Sequence, residues 1–225
     1  MRILIIKAFS RMLFLLLVMA ALLFIPAGTL DYWQAWTFMA VYFASYLAIT
    51  VYLIRYDPKL LERRINGGPT AEKEFAQKII TFIAAVAFVG LIVLPALDHR
   101  FMWSHVPLSP VLAGDALVAL GWLAFYLVFR ENSFTSATIE VAPDQKVIST
   151  GPYALVRHPM YAGTVVMLLG IPIALGSWWG MPAIVAMIPA LIWRVLDEEK
   201  FLARNLPGYL EYQKAVRYRL IPLVW

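Results

Sequence analysis

Cysteine is absent from the 225-residue chain, so disulfides, thiol nucleophiles and thiolate-held metals are excluded. Charge is scarce as well. Asp, Glu, Lys and Arg make up 15% of the residues, against about 25% in an ordinary soluble domain. Histidine occurs only three times; His99 and His105 have no H-E-x-x-H context, and a metal site has no sequence support. No G-x-G-x-x-G, G-x-x-x-x-G-K-[ST] or G-x-S-x-G occurs. A Rossmann dinucleotide site, a P-loop and a hydrolase nucleophile elbow are therefore unsupported. There is no internal repeat and no low-complexity segment.

Apolar residues fill the place of the missing charge. They are 62% of the chain, and the mean hydropathy is +0.73. Runs long enough for a hydrocarbon layer of about 30 Å cover residues 12–28, 33–54, 79–97 and 111–129. Two further runs, 161–175 and 181–195, are short. At about 1.5 Å per residue, 15 residues reach only about 22 Å, so this pair reads as a shallow or tilted helical hairpin around residues 176–180. The expected fold is an all-α polytopic bundle of five to six transmembrane segments ending in that hairpin. It forms one integral membrane domain over 1–225: membrane helices to residue 130, then a portion, 131–225, with more polar segments. The run after Arg2, Lys7 and Arg11 is long for a signal peptide and reads as a retained first helix.

The formal charge of +5 does not point to nucleic acid, because the basic residues abut apolar spans. Arg2, Lys7, Arg11, Arg55, Lys59, Arg63, Arg64, Arg130, Arg157, Lys200 and Arg204 fall on one side. Asp31, Asp98, His99, Arg100, His105 and Asp115 fall on the other. The positive-inside rule then puts both termini, and the polar segments near Arg130 and Arg157, in the cytoplasm. The connector 57–78 reads as an interfacial loop, broken at Gly67-Gly68-Pro69 and restarting as helix from Thr70 through Glu72, Lys73 and Glu74.

Two polar groupings stand out against this background. The first is GPYALVRHPMYAG at 151–163. Gly151-Pro152 forces a turn, and Pro143-Asp144 upstream reads as another. His158-Pro159 reads as a helix start with His158 at the cap, and His158 and Tyr161, three apart, share a face. The second is Arg194 followed by Asp197, Glu198 and Glu199 at the end of the sixth run. Arg194 and Glu198 are four apart and share a face. Three carboxylates at a helix C-terminus oppose the macrodipole, which points to a cationic partner. The tail 206–222 is basic, aromatic and amphipathic, and is expected to lie on the membrane surface beneath the hairpin.

With both groupings in view, residues 132–222 resemble the isoprenylcysteine carboxyl methyltransferase family and the related phospholipid methyltransferases. The resemblance rests on Gly151-Pro152-Tyr153, Arg157-His158-Pro159 and Tyr161, joined by Arg194, Glu198, Glu199, Gly208-Tyr209 and Tyr212, with Asn132 and Phe134 upstream. It implies a membrane enzyme that uses S-adenosylmethionine without a Rossmann domain. On that resemblance Gln145, Lys146, Val147 and Ile148 line the adenosine, mainly through backbone. Tyr153, His158, Pro159, Met160 and Tyr161 complete the pocket, and Glu198 holds the cofactor's α-amino group. Arg194 faces the methyl acceptor, and Glu199 stands with Arg194 as a catalytic group. Relatives often carry His where this chain has Gln145, so a side-chain role there is not implied.

The expected partner is a lipophilic acceptor entering from the bilayer. Carboxyl O-methylation is favoured, because a carboxylate is already a nucleophile at neutral pH and an arginine can orient it. Lipid amine N-methylation is the alternative. An NADPH-dependent sterol-type reductase shares an Arg-His-Pro-like element, but a polyphosphate cofactor would prefer a basic pocket. A non-enzymatic scaffold or small transporter would show no cofactor binding.

Overall fold

The computed structural model describes residues 1–66, 75–136, 138–139, 141–142 and 144–225. The break at 67–69, the restart from Thr70 and Pro143 of the Pro143-Asp144 turn lie outside the described residues. The described elements are α1 (Arg2–Ala27), α2 (Trp33–Tyr56), α3 (Pro58–Asn66), α4 (Phe75–Phe101), α5 (Leu108–Glu131), α6 (Pro159–Ala174), α7 (Met181–Asn205) and α8 (Tyr209–Ala215). A 3₁₀ turn, Gly151–Ala154, precedes α6.

Helices α1, α2, α4 and α5 are long and apolar enough to cross a membrane. Their outward faces carry Phe14, Leu17 and Ile25 on α1, Phe82 and Val86 on α4, and Leu112 and Leu120 on α5, all more than half exposed. Helices apolar on all sides belong in lipid rather than water. The chain is a polytopic helical membrane protein. α1 begins at Arg2, ten residues before the apolar run at Met12, because Arg and Lys are good helix formers and their stems cover apolar surface.

α6 and α7, joined by the turn at 175–180, do not pack mainly against one another. α6 lies principally along α5 rather than along α7, and α7 lies principally along α4. Glycine explains the first pairing. Gly114 and Gly121 on α5 meet Gly163 and Gly170 on α6, each pair seven residues apart. A β-carbon on Gly170 would sit 2.6 Å from the Gly114 carbonyl oxygen, and one on Gly163 would sit 2.7 Å from Ala124 Cβ. Small residues at such a seam let two backbones approach closely, which is how helices associate in lipid.

α7 runs to Asn205, ten residues past the end of the apolar run at Val195. Asp197, Glu198 and Glu199 therefore lie well inside the helix and not at its C-terminus. Nothing in DEEKFLARN breaks a helix, so hydropathy ended before the secondary structure did. The macrodipole argument for a cationic partner does not apply here, since that effect is confined to the last turn.

Far from the Arg-His-Pro turn, the opposite end of the bundle is tied together by Asp98. Its carboxylate accepts from Ser104 N and Ser104 Oγ, both at 2.7 Å, and from Ser177 Oγ. His99 stacks on Tyr32 with ring centroids 4.0 Å apart, and Tyr32 Oη donates to the Leu175 carbonyl at 2.7 Å. This closes the turn between α6 and α7 against the α2 and α4 ends.

Candidate functional site

The Arg-His-Pro element starts α6 as the sequence indicates: His158 is the N-cap and Pro159 the first helical residue. The tail holds this turn from outside. Arg157 N donates to the Tyr218 carbonyl and His158 N to the Arg219 carbonyl, both at 2.9 Å. Arg157 Nη1 donates further to the carbonyls of Val216 at 3.0 Å and Arg217 at 3.2 Å. The tail is thus helical only over α8; beyond it, irregular backbone clasps the motif. Tyr209 and Tyr212 of α8 are buried against Val147 and Tyr153, and Tyr212 Oη donates to the Tyr153 carbonyl at 2.8 Å.

Glu199 is the centre of this clasp. Its Oε1 accepts from Arg157 Nε at 2.7 Å and lies 3.3 Å from His158 Nε2, while Oε2 accepts from Arg219 Nε at 2.9 Å. The residue is 5% exposed. Burial alone would raise its carboxyl, but hydrogen bonds from His158 and Arg219 and the charges of His158 and Arg157 outweigh it and hold the group at about 2. Glu199 was expected to stand with Arg194 as a catalytic group. The structure places it behind the wall of the cavity, not on its lining, with both oxygens engaged.

In front of that wall lies a cavity of about 270 Å³, just below the roughly 300–1,000 Å³ usual for small-molecule sites. All ten residues assigned to the cofactor by resemblance border it. Gln145, Lys146, Val147 and Ile148 come from the segment before the 3₁₀ turn. Tyr153, His158, Pro159, Met160 and Tyr161 come from the turn and the α6 start, and Glu198 from α7. Arg194 borders it as well. The Gln145 side chain turns back on its own loop, its Oε1 accepting from Ala142 N at 3.0 Å.

Arg194 and Glu198 do share a face, and Tyr161 joins them. Tyr161 Oη donates to Glu198 Oε2 at 2.7 Å and accepts from Arg194 Nε at 3.0 Å. Arg194 Nη1 also donates to Gln77 Oε1 at 2.8 Å, and the amide nitrogen of Gln77 donates to Asp197. Gln77 comes from α4, so the first half of the chain supplies part of the site. Asn132 Nδ2 donates to Tyr153 Oη at 2.9 Å. Burial pushes the Tyr153 phenol up, partly offset by that bond. Tyr209 Oη is buried and has no hydrogen-bond partner among the described residues. An unsatisfied buried hydroxyl bordering a cavity is a place for a ligand atom.

Sequence reasoning missed Arg64 and Gln77. Both sit in or beside an interfacial connector whose composition resembles any lipid-facing loop. The signal available was weak: a glutamine at the start of an apolar run has to find a partner once buried. Among the described residues no group of three or more His, Asp or Glu is placed to hold a metal.

Fold and site together define a helical membrane protein with a cavity where the α6 start, the α7 end and the tail meet. Over residues 110–207, which take in all of α6 and α7 and most of α5, the chain matches the model of the phospholipid methyltransferase family. That match, over less than half of the chain, is consistent with the resemblance to the isoprenylcysteine carboxyl methyltransferase group. Two curated bacterial proteins are similar at lower identity. One is the cobalt-zinc-cadmium resistance protein CzcN of Cupriavidus metallidurans, 26% identical over 145 residues, 60% of this chain and 57% of that protein. The other is the nickel-cobalt-cadmium resistance protein NccN of Alcaligenes xylosoxydans xylosoxydans, 24% identical over 135 residues, 56% of this chain and 57% of that protein. The matches thus span 57% of the length of each of these relatives.

Proposed function

We propose that this protein is an S-adenosylmethionine-dependent methyltransferase acting on a lipophilic acceptor that enters from the bilayer, with the cavity facing the cytoplasm. The supporting observation is that Glu198, Tyr161, Arg194 and the 145–148 segment border one cavity, although they are far apart in sequence. The residues present fit such a cofactor. A carboxylate on the lining, Glu198, is held by one tyrosine hydroxyl and suits an ammonium. The unsatisfied Tyr209 hydroxyl and the apolar flanks of Val147, Ile148 and Leu202 suit a polar sugar and a flat base.

When bound, S-adenosylmethionine supplies a methyl carbon on a positively charged sulfur, which leaves as a neutral thioether. Such a displacement needs positioning and exclusion of water more than acid–base help. Tyr161 supplies positioning: one hydroxyl fixes Glu198 and Arg194 at the same time, so the cofactor-binding and acceptor-facing groups keep one spacing. Arg194, oriented by Tyr161 and Gln77, presents donors to an acceptor carboxylate. His158, held against Glu199, orients the start of α6.

Carboxyl O-methylation is the reading we favour, because an arginine next to an amine acceptor would oppose its binding. Phospholipid amine N-methylation is the second reading, favoured by the description of the matching family. The test is transfer of tritiated methyl from S-adenosylmethionine to a total lipid and small-hydrophobe extract, with products identified by mass spectrometry. Methyl esters support the first reading and N-methylated headgroups the second. No labelled product from folded protein overturns both.

A further inference from the structure

Arg64, near the C-terminal end of α3, borders the same cavity and has no assigned role. Its Nη1 donates to the Ser136 carbonyl at 3.3 Å and lies 3.7 Å from the Met160 sulfur. The guanidinium carbon stands 4.9 Å from the centre of the Phe129 ring. None of these partners is an anion, and among the described residues no carboxylate pairs with Arg64. The titratable groups that act on it are the phenols of Tyr161, Tyr46 and Tyr153, while burial weakens its hold on the proton. The contrast with Arg157 is sharp, since that cation is matched by Glu199.

A guanidinium stays charged in proteins and carries five N–H donors in a planar fork. Drawing that charge partly out of water without a counter-ion is unfavourable, and one carbonyl and a thioether do not answer it. Nor is the residue loosely held. The neighbouring Arg63 donates to the Ser133 carbonyl at 2.9 Å and lies over the Phe134 ring. Arg11 of α1 donates to the Ile65 carbonyl. The end of α3 is therefore fixed to the 132–136 segment on one side and to α1 on the other, with the Arg64 fork left at the cavity.

We propose that Arg64 is the oxyanion-binding residue of this cavity, taking a carboxylate or phosphate group of a bound ligand beside Ser136 and Met160. Two sources share that chemistry: the amino-acid carboxylate of the cofactor and an acidic headgroup on the acceptor. The first source rests on the methyltransferase reading; the second does not.

Calorimetric titration of the full chain in detergent micelles separates them. Wild type, Arg64→Gln, Arg64→Lys and Arg63→Gln are each titrated with S-adenosylhomocysteine and with its decarboxylated analogue. Each is also titrated with dodecanoate and with dodecanol, in the presence and absence of S-adenosylhomocysteine, and melting temperatures are recorded. If the cofactor is the source, Arg64→Gln weakens S-adenosylhomocysteine about tenfold or more but leaves the decarboxylated analogue unchanged. If the acceptor is the source, S-adenosylhomocysteine binds as before and the preference for dodecanoate over dodecanol disappears. Arg64→Lys retains part of either effect, and serves alone if the glutamine variant does not fold. Arg63→Gln, which removes only the tie to the 132–136 segment, behaves as wild type. A wild type that takes no S-adenosylhomocysteine but prefers dodecanoate through Arg64 overturns the cofactor reading and upholds the oxyanion site. Unchanged binding of both anions in Arg64→Gln overturns the proposal. So does an equal loss of charged and uncharged ligands, or the same loss in Arg63→Gln.

Discussion

Glu198 and Glu199 are neighbours on α7, yet they serve regions of opposite character. Behind the Arg-His-Pro turn, Glu199 is closed in by Arg157, His158 and Arg219, and the tail's backbone covers the rest. In front of it, Glu198 borders a cavity and is held by the Tyr161 hydroxyl. The same side chain, moved by one residue around the helix, goes from a saturated ionic lock to a binding surface. One region organises the turn; the other has acceptor capacity left for a ligand. A cluster of acids is therefore no guide to function until the partners of each oxygen are known.

The contrast can be broken in order of expected effect. Glu199→Ala leaves the buried Arg157 and the half-buried Arg219 without their counter-charge and should cost about 3–5 kcal/mol, read as a large fall in melting temperature in micelles. An unchanged melting temperature would mean the lock is not structural. Gly170→Val tests the seam that carries the turn to its place. Overpacking against the Gly114 carbonyl should cost about 1–3 kcal/mol and weaken both regions together, seen as a lower melting temperature and slower methyl transfer. Glu198→Gln should leave the melting temperature within about 0.5 kcal/mol of wild type. Its binding of S-adenosylhomocysteine should weaken about tenfold or more, because a charge-assisted hydrogen bond is lost.

Acidification gives the smallest effect near neutrality. The folded-state value of Glu199, about 2, lies below its ordinary 4.5. Its stabilisation is fully present above about 4.5 and is lost as pH falls from there through 2. A melting temperature followed from pH 7 downward should stay level to about pH 5 and then drop, and Glu199→Gln should flatten that drop. A profile unchanged by the substitution would remove Glu199 as its source.

The four long spans were legible because lipid demands continuous apolar helix, and hydropathy measures that demand directly. The turn at Gly151-Pro152, the cap at His158 and the Tyr161 face were legible because proline, glycine and three-residue spacing act locally. The extent of α7 was not, since hydropathy stops at Val195 and helix propensity does not. The pairing of α6 with α5 could have been read from the seven-residue glycine spacing on both helices, a pattern that only gains meaning once the two are set side by side. Arg64 and Gln77 were out of reach for a different reason. Their importance comes from contacts made nearly a hundred residues away or more, with Met160 and Arg194, and no local pattern encodes such a contact. The same holds for the split between Glu198 and Glu199, which depends on Arg219 in the tail.

The most direct test is calorimetric titration of S-adenosylhomocysteine into the wild-type chain in micelles. Saturable binding of one molecule per chain, competed by S-adenosylmethionine, is the result the proposed function predicts. No binding at millimolar ligand, by protein with a cooperative melting transition, would contradict it.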